Sequence, residues 1–144
     1  MSDPMGLEVQ AFKSEHDLYL SLSGRLVRST CPVLDAALDA HFSPSFERLL
    51  LNLRNLTFID SSGLGKIVSQ KVRCAREHMQ FVVLEPSPTV SSVLSVSKLD
   101  AIFPVITGRE ALIIRNELEV AIPQKMIPHV EAEETYEGNF AVRP

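Results

Sequence analysis

Two short apolar runs, Leu49-Leu50-Leu51-Asn52-Leu53 and Phe81-Val82-Val83-Leu84, frame the stretch that most narrows the choice of fold. Neither run has a clear polar face, which is the pattern of strands covered on both sides in a parallel sheet. Between them the period becomes helical. Leu64, Ile67, Val68, Val72 and Ala75 form an inner stripe, while Lys66, Gln70, Arg73 and Glu77 face out. A strand over 46–53, a helix and a second strand predict a right-handed parallel crossover, hence a layered α/β domain.

The flanking segments extend that frame. Leu7, Val9 and Ala11 alternate weakly with polar neighbours, and Leu18, Leu20 and Leu22 alternate strictly with Tyr19, Ser21 and Ser23. Strict alternation predicts an antiparallel pair with one buried face near a sheet edge, with His16-Asp17 in the turn and Gly24 closing the second strand. Thr30 as N-cap and Pro32 in the first turn open a helix carrying Val33, Leu34, Ala37, Leu38 and Phe42, which Ser43-Pro44-Ser45 stops. Ser87-Pro88 opens another, with Val90, Val93 and Leu94 on one face. Residues 102–106 suit an edge strand because Pro104 cannot sit in a central ladder. Thr107 and Glu110 form a capping box for a last helix with Ala111, Ile114 and Leu118. The order is β-β-α-β-α-β-α-β-α.

Length and charge limit what such a frame can do. At 144 residues the chain reads as one domain, since domains run to roughly 100–200 residues. Fourteen Lys and Arg against eighteen Asp and Glu give a net charge of −4, opposite to the basic surface of a general nucleic-acid binder. Cys31 and Cys74 fit neither a disulfide framework nor a metal site, and read as free thiols in a reducing compartment. The start MSDPMGLEVQ lacks the pattern of a secretory signal, and no apolar run is long enough to span a membrane, so a cytoplasmic location is expected. After residue 119 both periods vanish. Residues 120–144 carry Lys125 and Arg143 against Glu131, Glu133, Glu134 and Glu137, and are expected to be an acidic, proline-containing extension, flexible or loosely docked.

The chemistry concentrates at the strand-to-helix junction Thr57-Phe58-Ile59-Asp60-Ser61-Ser62-Gly63-Leu64-Gly65. In an open α/β sheet, sites form where strands end and helices begin, and a helix N-terminus with small hydroxyl residues suits an anion, including a phosphate held on serine. Asp60, Ser61 or Ser62 acting simply as a cap accounts for the same residues, and the two readings are compatible. The junction resembles the signature loop of the STAS domain family, shared by sulfate transporter tails and bacterial anti-sigma factor antagonists. Leu49-Leu50-Leu51-Asn52-Leu53, Ser87-Pro88-Thr89-Val90, and Leu99-Asp100 before Phe103 match in the same order, so the likeness covers about residues 7–119.

The resemblance implies a single-domain STAS fold: a small mixed sheet of four to five strands with about four helices packed against it. It implies a non-enzymatic anti-sigma factor antagonist, a monomer or dimer without cofactor or metal. Its partner would be an anti-sigma factor that is also a serine kinase of the GHKL type, and a PP2C-type phosphatase would reverse the mark. By position the phosphoacceptor is Ser61, with Ser62 the lesser candidate. Phe58, Asp60, Ser61, Ser62, Gly63, Leu64, Gly65 and Lys66 make up the switch loop and partner contact. Lys71, Arg73 and Arg76 continue the helix that borders it.

Departures from the family pattern bear on the partner. Gly24-Arg25-Leu26-Val27-Arg28 stands where relatives often carry acidic residues, making Arg25 and Arg28 candidate loop-edge contacts, and Glu77-His78-Met79 replaces the usual glycines. A STAS scaffold of the stressosome type, or another STAS scaffold or regulatory binding module that does not act on a sigma factor, is the alternative role. An enzyme is the remote one: Gly63-x-Gly65 with Glu85 twenty residues on resembles half of a dinucleotide fingerprint, but Val68 holds the third glycine position. Ser61 and Ser62 lie outside G-x-S-x-G, and His16, His41, His78 and His129 offer no obvious base.

Overall fold

The structure, a computed structural model, describes residues 6–119. The predicted extension 120–144 and the boundary drawn before it therefore lie outside the described residues. Nine elements follow the expected order: β1 (Leu7–Lys13), β2 (Asp17–Leu26), α1 (Cys31–His41), β3 (Arg48–Ile59), α2 (Ser61–Arg76), β4 (Gln80–Leu84), α3 (Pro88–Val96), β5 (Val105–Ile106) and α4 (Gly108–Glu119). The strands form one sheet in the order β1-β2-β3-β4-β5. β1 pairs antiparallel with β2, and the remaining neighbours are parallel. This is the mixed five-stranded sheet with four helices that the sequence led us to expect.

Side-chain alternation sorts the sheet into two covered faces. Leu18, Leu20, Leu22, Leu49, Leu51, Leu53, Phe81 and Val83 point to the large core under α1, α2 and α3. Phe12, Tyr19, Leu50, Val82 and Leu84 point the other way, against Ala111, Ile114 and Leu118 of α4. That second layer corrects the expectation of one buried face for β2. Tyr19 is fully buried, its hydroxyl donating to Glu119 Oε2 and accepting from Asn52 Nδ2 at 2.8 Å. Burial, first, and the Glu119 carboxylate hold the Tyr19 phenol well above its ordinary pKa.

Several boundaries also differ from expectation. Asp17 opens β2 rather than sitting in a turn, and its carboxylate takes Arg48 Nε at 2.9 Å and Nη2 at 3.0 Å, tying the starts of β2 and β3. Gly24 does not close β2. It sits at a register irregularity with φ +109°, where a Cβ would lie 2.2 Å from the Gly6 carbonyl oxygen, so the bend demands glycine. Thr30 precedes α1 as expected, yet its hydroxyl makes no cap bond; it donates to the Arg25 carbonyl at 2.7 Å and accepts from Val27 N–H at 2.9 Å. The strand expected over 102–106 shrinks to Val105–Ile106, preceded by a 3-10 turn at Leu99–Ala101. No helix of the described residues is long and apolar enough to cross a membrane.

Candidate functional site

The expected loop after Leu53 is instead strand. β3 runs on to Ile59 because its second half finds a partner: Phe58 pairs with Arg25 and Ile59 with Leu26, while Thr57 Oγ1 donates to the Gly24 carbonyl at 3.0 Å. Phe58 stays 41% exposed at this end of the sheet, with the Arg25 guanidinium 4.9 Å from its ring centroid. The turn from β3 into α2 thus has no slack. Asp60 alone separates the last strand residue from the first helical one.

Asp60 carries out the capping. Its backbone is extended, with φ −108° and ψ −174°, and Oδ1 accepts the Gly63 N–H at 2.9 Å. Oδ2 accepts the Arg28 N–H at 3.1 Å, and the Asp60 N–H donates to the Leu26 carbonyl at 3.3 Å. One side chain thereby binds the helix start to the loop after β2. The Gly63 N–H, more than any other donor, holds the Asp60 carboxyl below its ordinary pKa, so it is ionised at neutral pH.

With the cap supplied by Asp60, Ser61 is left exposed as the first residue of α2, and Ser62 is half-buried. Ser61 therefore stands exposed at the positive end of a sixteen-residue helix, next to an anionic carboxylate. Gly63 is buried for a steric reason. A Cβ there would stand 2.3 Å from the Leu26 carbonyl oxygen and 2.8 Å from Ile59 Cγ1, so only glycine lets α2 approach the end of β2. Gly65 is exposed with open space where its side chain would be.

The face of α2 is rotated from the one periodicity suggested. Gly63, Ile67, Gln70 and Cys74 point inward, and Gln70 is buried rather than outward. Leu64 and Val68 are half-buried, while Val72 is 47% exposed and Ala75 is exposed. Leu64, Val68 and Val72, four residues apart, therefore make an apolar ridge that starts beside Ser61. Sequence reading put all three on the inner stripe and counted only Leu64, which also packs against the core, among the partner contacts, so the continuation of the ridge through Val68 and Val72 was missed. Its signal was the competing Gly63, Ile67, Cys74 spacing, which fits the same helix. Lys66, expected as a partner contact, reaches Asp35 Oδ2 of α1 at 3.0 Å, and that carboxylate raises its pKa. Arg73 lies over Phe42, 3.7 Å from the ring centroid. Arg25 and Arg28 do border the site, the former through Phe58 and the latter through its backbone. Glu85, the acid of the dinucleotide reading, is instead held by Arg115 Nε at 3.2 Å.

A mixed five-stranded sheet covered by α1–α3 on one face and α4 on the other, with an exposed serine directly after the cap of α2, defines the class of small layered α/β domain this chain falls in. The family model described as "Mlab, STAS domain" matches residues 9–107, and the chain belongs to the STAS domain family. The anti-sigma F factor antagonist of Paenibacillus polymyxa is 29% identical over 117 residues, covering 81% of this chain and 98% of that protein. The crystal structure of an anti-sigma factor antagonist from Mycobacterium paratuberculosis superposes with a TM-score of 0.68 at 23% identity, over 79% of this chain and 97% of that one. The Bacillus cell fate determinant SpoIIAA in its phosphorylated form gives a TM-score of 0.57 at 24% identity, over 75% of this chain and 98% of that one. The two structural likenesses speak to the fold.

Proposed function

We propose that this chain is an anti-sigma factor antagonist, a binding protein rather than an enzyme, switched by phosphorylation of Ser61. Its partner would be an anti-sigma factor with serine kinase activity of the GHKL type. Binding releases a sigma factor in the cytoplasm, phosphate transfer to Ser61 separates the pair, and a PP2C-type phosphatase restores the serine. The curated relative's name supports the first part. The observation that carries the second is the division of labour at the junction: Asp60 satisfies the helix start and Ser61 stays exposed beside the ridge of Leu64, Val68 and Val72.

The physical effect of the mark follows from that placement. A phosphate adds about −1.5 to −2 charge at pH 7. At the N-terminus of α2 the helix dipole favours it by about 0.3–1 kcal/mol, so the fold tolerates it. A partner packed on the ridge would have to desolvate this charge and the Asp60 carboxylate together, at a cost of several kcal/mol per buried ion. The mark is harmless to the domain and hostile to the complex. Incubating the full chain with a kinase-type anti-sigma factor and ATP, followed by mass spectrometry, tests the assignment. One phosphate is expected on Ser61 and none on the Ser61→Ala variant. A Ser61→Ala chain that still accepts phosphate and still dissociates on receiving it overturns the reading.

A further inference from the structure

α4 covers the sheet face opposite α1–α3, and its own outer face is exposed. Ala111, Ile114 and Leu118 turn inward onto the layer of Tyr19, Leu50 and Val82. On the same side Arg115 Nε donates to Glu85, and Glu119 accepts the Tyr19 hydroxyl. With about 3.6 residues per turn, these inward positions leave Arg109, Ile113 and Glu117 on the ridge directly opposite the core. All three are exposed, Ile113 at 50%, and Leu112 beside it is 42% exposed. Neither Leu112 nor Ile113 belongs to either core cluster, so the fold gives no reason for two adjacent large apolar residues there.

The ridge carries a charge pattern that reverses about its centre. Arg109 and Glu117 flank Ile113 at i−4 and i+4, about 12 Å apart along the axis, too far to pair with each other. Neither forms an ion pair among the described residues. The Asp17 carboxylate, above all, raises the Arg48 pKa, and Glu117 adds to it only from beyond ion-pair distance. We propose that the outer face of α4 is a homodimer surface, on which a second copy of this chain docks antiparallel about a twofold axis at Ile113. That rotation sets Ile113 against Ile113, Arg109 against Glu117 of the second copy, and Glu117 against its Arg109. One ridge thus supplies both halves of two ion pairs and the apolar contact between them, as an isologous interface requires. A parallel pair would instead oppose like charges at both ends. The twelve-residue α4 is about 18 Å long and about 10 Å wide, far short of the roughly 800 Å² per partner of a standard interface. The dimer is therefore concentration-dependent. Because α2 and α4 lie on opposite faces of the sheet, both Ser61 loops stay open in the pair.

Sedimentation equilibrium of the full chain from about 10 µM to about 1 mM tests this, and a monomer–dimer equilibrium is expected in that range. Ile113→Asp, R109E and E117R each alter an exposed side chain, so thermal melts should match the parent. Each is expected to weaken dimerisation at least about tenfold. Charge reversal also gives a test that a general loss of affinity cannot mimic. R109E presents only negative charge at the two ends of the ridge and E117R only positive, so an equimolar mixture should form a heterodimer within about threefold of the parent affinity. A parent chain that stays monomeric throughout the range overturns the proposal. A dimer that Ile113→Asp leaves intact places the contact elsewhere and overturns it too, as does a mixture of R109E and E117R that remains monomeric.

Discussion

At the end of β3 the chain enters α2 through Asp60-Ser61, and at the end of β4 it enters α3 through Glu85-Pro86-Ser87. Both junctions place a serine where a helix presents unpaired N–H groups, yet the two hydroxyls have opposite fates. Ser87 is its helix's own cap: the hydroxyl accepts the Val90 N–H at 3.4 Å and donates to the Leu56 carbonyl at 2.5 Å, so it is spent on structure. Ser61 comes one residue after the cap, Asp60 takes the Gly63 N–H, and the serine hydroxyl stays exposed. A shift of one position separates a structural serine from an available one. The same comparison explains why Ser61 rather than Ser62 is the candidate acceptor, since Ser62 is already half-buried.

The comparison can be broken or sharpened by substitution. Gly63→Ala should have the largest effect on stability, because the new Cβ meets a backbone carbonyl that cannot rotate away. A loss near the upper end of about 1–3 kcal/mol is expected in denaturant unfolding. A variant as stable as the parent would show that α2 can move off β2. Ser87→Ala should follow, at about 1–2 kcal/mol, since it removes a cap and leaves the Leu56 carbonyl without its donor. Asp60→Asn keeps a capping side chain but removes the charge. Because the folded pKa of Asp60 is depressed, its contribution is complete above the ordinary carboxylate value of about 4 and is lost as the pH falls through the lower folded value. Thermal melts from pH 5 to pH 2 should therefore show a shallower acid loss for Asp60→Asn than for the parent. Identical pH slopes would remove Asp60 from that role. Ser61→Ala should change stability least, within about 0.5 kcal/mol, while abolishing phosphorylation. A clear drop in stability would mean that Ser61, like Ser87, is structural.

Legibility in the sequence tracked how local each determinant is. The alternation of β1 and β2, the apolar runs of β3 and β4, and the Ser87-Pro88 start of α3 all predicted their elements, because the residues that set them lie within a few positions of one another. The second half of β3 did not show, because Thr57, Phe58 and Ile59 are strand only through pairing with Gly24, Arg25 and Leu26. The ion pair of Lys66, read from the sequence as an outward-facing partner contact, did not show because Asp35 sits on another helix. The rotation of α2 escaped for a related reason. Two apolar stripes, one through Ile67 and Cys74 and the other through Leu64, Val68 and Val72, fit a helical period equally well.

By itself, the sequence determined the order of the elements, the layered α/β class, and the position of an aspartate, two serines and a glycine at one strand-to-helix junction. Those follow from period, propensity and punctuation, which act along the chain. Tertiary structure decided which serine is free, which face of α2 is covered, that β2 is buried on both sides, and that glycine is indispensable at Gly63 but meets no neighbour at Gly65. Each of these depends on what another element brings close: Leu26 against Gly63, Arg28 against Asp60, α4 against Tyr19. Period identifies a stripe, but only packing chooses between stripes, because burial depends on neighbours far away in the chain.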